Sequence, residues 1–374
     1  MFRSGWMGIK KGLKGLHALA MWAMSSLSAR KGTFLNRLEE FADSLLDKVT
    51  LNDVARSAGV STATVSRAIN TPERVAKATL ERVQAALAET GYVPNLLAGG
   101  LASSRSRMVA FLLPSIPILM FHRTFQALTK KLAENRYQAL LGLTGRTPQE
   151  YSDTVNQVLS WRPQGLVMIG TSVSPETRRQ ILSSGCPVVE IWDLPDDPID
   201  MVVGFSNEAV GLAIGRYAIA KGYRRPFVVA AAGMRGLRRR FGLTRAFVEA
   251  GLDEPRSASF HFPTKLGEAR QALAEHLDAG GRPDIVICSS DAAAHGAIIE
   301  LHTRGIRIPD DIAVTGFGDF DFAEHTVPTL TTVRIDGDRI GELSAAMLLD
   351  RIAGKPPASK VIDIGFELIA RESA

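Results

Sequence analysis

Apolar positions change period part-way along the chain. Up to about residue 102 they recur at helical spacing. Leu51, Val54, Ala55 and Ala58 share one face of a first helix, and Val65, Ala68 and Ile69 share one face of a second. Ala78, Val83, Ala86 and Leu87 mark a third, running from about residue 76 to residue 90. Thr50 and Asp53 form a capping-box variant that starts the first helix. Gly59 suits the left-handed residue that ends it, Ser61 caps the second, and Gly91 stops the third. From Met108 onward short apolar runs alternate with amphipathic segments. Strand-like runs lie at 109–113, 138–143, 165–169, 188–191, 201–205, 226–231, 284–288 and 312–316. Helical patterns such as 207–221 and 291–304 sit between them, and each of these two leads into a glycine. Regular alternation of this kind predicts parallel sheets covered on both faces. About ten strands exceed one compact half, so two doubly wound lobes with a ligand cleft at the strand carboxyl ends are expected. The segment 336–352 reads as a last helix and 361–368 as a last strand-like run.

A length of 374 residues holds two or three domains, and a hydrophobic fraction of 45% supports a large core. No apolar run is long enough to span a membrane. Charge is uneven: residues 1–48 carry a net +4, residues 49–107 a net +3 and residues 108–374 a net −2. Phosphates would therefore be met at the basic, helical end. A net +3 is modest, so affinity for a polyanion must also draw on pairing of two chains and on helix termini. Cys186 and Cys288 make neither a metal site nor a disulfide framework and read as buried, inert thiols of a cytoplasmic protein. The organisation expected is an N-terminal extension at 1–48, a helical domain at 49–94, a short linker segment at 95–107, and a two-lobed domain at 108–374. The extension carries Lys10, Lys11 and Lys14, an apolar run at 16–24 and then small residues, which imitates a secretory signal. An upstream start codon is the simpler reading and an amphipathic helix the second; residues 35–46 read as a short helix. No function is assigned to it.

The second helix carries the chemistry. Its outer face presents Thr62, Ala63, Ser66 and Arg67. Arg67 can donate two hydrogen bonds to a guanine edge, and the methyl groups of Thr62 and Ala63 can meet a thymine methyl. Ser61, Thr64 and Ser66 can donate to phosphates, and helix N-terminal amides favour anions. Two capped helices joined by a tight turn are how many proteins enter the major groove. The same pattern also occurs as a plain helical hairpin in a core. No signature of catalysis accompanies it: Gly-x-Ser-x-Gly, His-Glu-x-x-His, Cys-x-x-Cys and the phosphate loop are absent, and Gly316-Phe317-Gly318 lacks a third glycine. The chain is expected to be no enzyme and to need no cofactor or metal.

The run VTLNDVARSAGVSTATVSRAIN followed by ETGYVPNLLAGGLA resembles the headpiece of the lactose/galactose repressor (LacI) family, and the resemblance continues through residue 374. It implies an α-helical helix-turn-helix headpiece plus an α/β periplasmic-binding-protein-like core of two doubly wound lobes. By the resemblance Thr62, Ala63 and Arg67 read bases, and Ser61, Thr64, Ser66 and Asn70 hold phosphates. Thr50, Leu51, Tyr92 and Asn95 join them as DNA-contact candidates. Residues 95–102 match a hinge helix, and Leu101 matches a leucine wedged into the minor groove at the operator centre. Family hinges carry an arginine where this chain has Ala98-Gly99-Gly100-Leu101. Each glycine costs about 1 kcal/mol in a helix against alanine, so a hinge that orders only on DNA is expected.

In the core, the resemblance places Ser115, Phe121, His122, Trp192, Asp193, Arg239, Phe262, Ser290, Asp291 and Asp319 in the effector cleft. Arg239 stands at the arginine of Arg-x-x-Gly, completed by Gly242, where the guanidinium grips the effector. Trp192 also fits an ordinary core position, and Arg238-Arg239-Arg240 also fits a solvated face. Ser290, Gly318 and Ser206 depart from the sugar-binding pattern by removing one amide and two carboxylates. That makes room for an anion, which arginine binds bidentately. The phrases PVVEIWD, VGFSN and WRPQGL are similar to the gluconate-repressor branch. The resemblance thus implies a homodimer that binds a pseudo-palindromic operator and responds to a small sugar or sugar acid such as gluconate. An activator or a corepressor-dependent regulator is the alternative. A solute-binding protein for transport is the rival from another class, and it leaves residues 49–107 without a use. No leucine-heptad tail follows the last strand, so a tetramer is not indicated.

Overall fold

A computed structural model describes residues 49–93, 106–114, 119–145, 147–169 and 173–374. The readings of residues 1–48, of the hinge over 95–102 with Asn95 and Leu101, and of Ser115 lie outside these residues. The chain divides after residue 96 into an N-terminal and a C-terminal compact unit.

The N-terminal unit holds helices α1 (Leu51–Ala58), α2 (Thr62–Asn70) and α3 (Lys77–Thr90), with a 3-10 turn at Pro72–Arg74. Thr50 donates to Asp53 Oδ2 twice, from its backbone N–H at 2.9 Å and its hydroxyl at 2.7 Å, which fastens the start of α1. Gly59 closes α1 at φ 64°, a conformation that a residue without Cβ adopts at no steric cost. Ser61 Oγ then accepts from Thr64 N–H at 3.2 Å and opens α2. Val54, Ala55, Ala58, Val65, Ala68, Val83 and Ala86 close a small core, ringed by Leu51, Ile69, Leu87 and Tyr92. Each fully buried valine contributes about 1.5–3 kcal/mol, so the apolar periodicity alone accounts for the three-helix packing.

In the C-terminal unit, strands β1 (Met108–Leu113), β2 (Gln138–Leu143), β3 (Gly165–Ile169), β4 (Val188–Ile191) and β5 (Met201–Gly204) form one parallel sheet. Helices α4 (His122–Glu134), α5 (Pro148–Ser160) and α6 (Pro175–Ser184) connect them. After α7 (Asn207–Ala220) comes a second parallel sheet of β6 (Pro226–Ala231), β7 (Arg256–Phe260), β8 (Ile285–Cys288) and β9 (Ala313–Thr315). Its helices are α8 (Met234–Glu249), α9 (Leu266–Asp278) and α10 (Asp291–Thr303). Central strands β1, β3, β4, β6 and β8 are buried almost throughout, because helices cover both faces.

The remaining elements are β10 (Thr332–Arg334), α11 (Gly337–Ile352), β11 (Val361–Asp363) and β12 (Glu367–Ile369). They run back across the lobes. Strand orders are β2-β1-β3-β4-β5-β11 in the first lobe and β7-β6-β8-β9 in the second. The expected single run over 361–368 is two strands: β11 extends the first sheet beside β5, and β12 pairs antiparallel with β10. The chain ends in the second lobe, where Ser373 O accepts from Val314 N–H at 2.8 Å. Cys186 is half-buried and Cys288 buried, and burial raises both thiols, Cys186 to about 12, so they stay protonated.

Candidate functional site

On α2, Ala63, Arg67 and Asn70 are exposed, and Thr62, Thr64 and Ser66 are half-buried. Ala63, Ser66, Arg67 and Asn70 follow helical spacing and lie on one face, opposite buried Val65 and Ala68. Asn70 donates to Ser66 O at 2.9 Å and Ser66 Oγ at 3.3 Å, which holds both side chains along that face. Thr64 Oγ1 lies 2.9 Å from Ser61 Oγ at the helix start. Thr50, Leu51 and Tyr92 sit differently. Thr50 is engaged with Asp53, while Leu51 and Tyr92 are half-buried against the three-helix core.

Between the lobes of the C-terminal unit lies a cavity of about 400 Å³. Its lining follows the carboxyl ends of the strands: Pro114 after β1, Thr144 and Gly145 after β2, Ile169, Trp192 and Asp193 after β4, and Phe205 after β5. The second lobe contributes Ala231 to Gly236 and Arg239 around the start of α8, His261 and Phe262 after β7, and Phe317 after β9. Trp192 is 2% exposed yet has φ 69°, a left-handed conformation that bulky residues rarely adopt. Such residues persist where their surroundings over-determine them. Here the indole Nε1–H donates to Thr124 Oγ1 at 3.1 Å, and Phe121 and Phe205 meet the ring edge-on at 4.8 and 5.8 Å.

Helix α8 brings two arginines, Arg235 and Arg239, to the cavity, while Arg238 between them in sequence ties to the first lobe. Gly242 and Gly211 make this possible: a Cβ on Gly242 would run into Glu208 O, and one on Gly211 into Arg239 O. Only glycine lets α8 press against α7 this closely. The glycine of Arg-x-x-Gly is thus a packing residue that sets where the arginine stands. Arg238 spans the lobes, donating to Asp193 Oδ2 at 3.3 Å and to Leu194 O at 2.9 Å. Asp193 is 1% exposed and also accepts from Asn207 Nδ2 at 3.0 Å. Arg235 and Arg239 have no carboxylate partner among the described residues. Arg239 lies 3.9 Å from the centre of the Phe317 ring, and Arg235 sits between Phe121 and Phe262 at 5.3 and 5.4 Å. Burial lowers Arg235 to about 10, and burial with repulsion from Arg235 lowers Arg239 to about 9. Both remain cationic at neutral pH, two positive charges held against aromatic walls and offered to the cavity.

Of the residues expected in the cleft, Trp192, Asp193, Arg239 and Phe262 line the cavity. Phe121 stands behind them, its ring 6.0 Å from that of Phe262. Four others lie elsewhere. Ser290 caps α10, its Oγ accepting from Ala293 N–H at 3.2 Å. Asp291 is fully buried, with Thr332 Oγ1 at 2.5 Å and Phe320 N–H at 2.7 Å on its two oxygens, and burial raises it to about 6. Asp319 is clamped by Arg334 at 2.6 Å and Arg371 at 2.8 Å, and it faces a second groove together with His122. Partners from β10, from Phe320 and from the C-terminal residues occupy the two carboxylates, Ser290 is taken by its helix cap, and His122 at the start of α4 faces the second groove. The sequence reading missed Arg235, Arg238, Asn207 and Tyr151. Arg235 had a signal, since it stands one helical turn before Arg239 on the same face.

Three comparisons with known proteins bear on this arrangement. A family model described as bacterial regulatory proteins, lacI family, matches residues 50–95, and one described as periplasmic binding protein-like domain matches residues 216–374. The transcriptional regulator GntR of Pseudomonas aeruginosa is 36% identical over 326 residues, covering 87% of this chain and 95% of that protein. The chain belongs to the LacI family. GntR of Escherichia coli is 32% identical over 323 residues, covering 85% of this chain and 96% of that protein. A LacI-family transcriptional regulator from Silicibacter pomeroyi, solved by crystallography, superposes with a TM-score of 0.80 at 28% identity, covering 87% of this chain and 99% of that one. This LacI-family member is a DNA-binding transcriptional regulator, and its relatives are regulators rather than enzymes. No helix among the described residues is long and apolar enough to cross a membrane.

Proposed function

We propose that this regulator is a cytoplasmic repressor released from a pseudo-palindromic operator by a sugar acid such as gluconate. The observation that carries the effector class is the pair Arg235 and Arg239, cationic groups in the cavity with no carboxylate partner among the described residues. Unpaired buried charge is costly, and a ligand carboxylate relieves that cost with charge-assisted hydrogen bonds. The departures at Ser206 and Ser290 fit the same reading, since each side chain caps a helix and adds no negative charge. On DNA, Thr62, Ala63 and Arg67 read bases while Ser61, Thr64, Ser66 and Asn70 hold phosphates. Pairing of two copies is supported by edge strand β2, where Leu141 and Leu143 are 47% and 45% exposed. An exposed apolar edge of this kind asks for a partner.

The test is calorimetric titration with D-gluconate beside a gel shift on an operator. Gluconate binds the wild type and releases the operator, whereas Arg239→Ala weakens gluconate by about 10–100-fold and leaves ligand-free operator binding unchanged. Equal gluconate affinity in Arg239→Ala removes the arginine from the site.

A further inference from the structure

Tyr151 presents a feature that packing alone does not explain. Its ring lines the cavity from the first-lobe side, at the start of α5, and packs on the core beneath. Its hydroxyl is buried and has no hydrogen-bond partner among the described residues. A phenylalanine would fill the same space without stranding a polar group, an omission that costs about 1–3 kcal/mol. The neighbouring charge is Glu190 on β4, a carboxyl 1% exposed that accepts from Ile199 N–H at 2.7 Å. Tyr151 therefore stands on the first-lobe wall with the Glu190 charge behind it, while Arg235 and Arg239 stand on the second-lobe wall.

We propose that Tyr151 reads a hydroxyl at the far end of the effector, with the acid group of that effector held by Arg235 and Arg239. A small rotation lets the phenol donate to Glu190 while its oxygen accepts from the ligand hydroxyl. The effector class is then a polyhydroxylated acid long enough to span both lobes, and a short-chain acid meets only the arginines. The inference rests on the sugar-acid reading above.

Calorimetry with D-gluconate (six carbons) and D-erythronate (four carbons) on wild type and Tyr151→Phe tests it. Tyr151→Phe weakens gluconate by about 5–30-fold, leaves erythronate within about 2-fold, and melts at or above the wild-type temperature. Unchanged gluconate affinity, or an equal loss for both acids, overturns the role of Tyr151 while the sugar-acid reading stands. A variant that melts well below the wild type also overturns it, because the hydroxyl then has a structural partner. Failure of the wild type to bind either acid removes the sugar-acid reading and this inference with it.

Discussion

At the residue scale, Glu190 carries a charge that the fold does not welcome. Burial is the largest influence on its carboxyl and pushes it up to about 7; the Ile199 N–H and Arg178 oppose this, and Asp197 and Asp193 add to it. A raised carboxyl means that the native state binds more protons than the unfolded chain between roughly pH 4.5 and pH 7. Stability therefore falls as pH rises through that window. Glu190→Gln keeps an oxygen for Ile199 N–H and removes the titration. Its unfolding free energy matches the wild type near pH 4 and exceeds it by about 1–3 kcal/mol at pH 8. Denaturant melts at a series of pH values check this, and parallel curves for the two proteins contradict it. The residue scale is also where the sequence reads least clearly. Arg239 announces itself through Arg-x-x-Gly, and Arg67 through a capped recognition helix. Asp291 and Asp319 look identical to ligand carboxylates until Thr332, Arg334 and Arg371 are folded against them.

Elements are more legible, and the failures have a cause. Strands buried on both faces leave continuous apolar runs, so β1, β3, β4, β6 and β8 are visible in the sequence. Strand β7, RSASF, lies at a sheet edge with three of its five residues exposed, so no run marks it. Strands β10 and β12 are short, and their pairing depends on residues far apart in the chain. The α7–α8 contact supplies a prediction at this scale. Gly242→Ala places a methyl against Glu208 O and 2.9 Å from Leu212 N. Prying α8 from α7 costs about 1–3 kcal/mol and displaces both Arg235 and Arg239. Gluconate affinity then falls more than about 10-fold, since hydrogen bonds to charged groups are worth about 1.5–3 kcal/mol. Gly267, in the first turn of α9, has nothing within 4 Å of a built Cβ. Gly267→Ala is the control, stabilising by up to about 1 kcal/mol with gluconate affinity unchanged. Equal behaviour of the two variants contradicts a packing role for Gly242.

For the whole molecule, the question is how a cavity in one compact unit governs a DNA face in the other. The requirement is thermodynamic and needs no particular pathway: two ligands influence each other only if each prefers a different state of the protein. Arg238 is a tie that a movement of the lobes would break, because it joins α8 of the second lobe to Asp193 and Leu194 of the first. On the proposed function, an acid bound at Arg235 and Arg239 brings negative charge near Asp193, which those two arginines attract at longer range, and the repulsion loosens the Arg238–Asp193 tie. The resulting coupling is reciprocal, typically about 1–3 kcal/mol. Saturating gluconate therefore weakens operator binding by about 5–150-fold, and saturating operator weakens gluconate binding by the same factor. Asp193→Asn removes the competing charge and keeps the oxygen that meets Asn207, so gluconate binds more tightly to the ligand-free protein and the operator factor shrinks. Fluorescence anisotropy on operator DNA with and without gluconate measures the first factor, and calorimetry with and without operator the second. An Asp193→Asn variant with wild-type values for both would place the coupling outside the Arg238–Asp193 tie, and the lobes would then have to transmit the signal through their crossover segments alone.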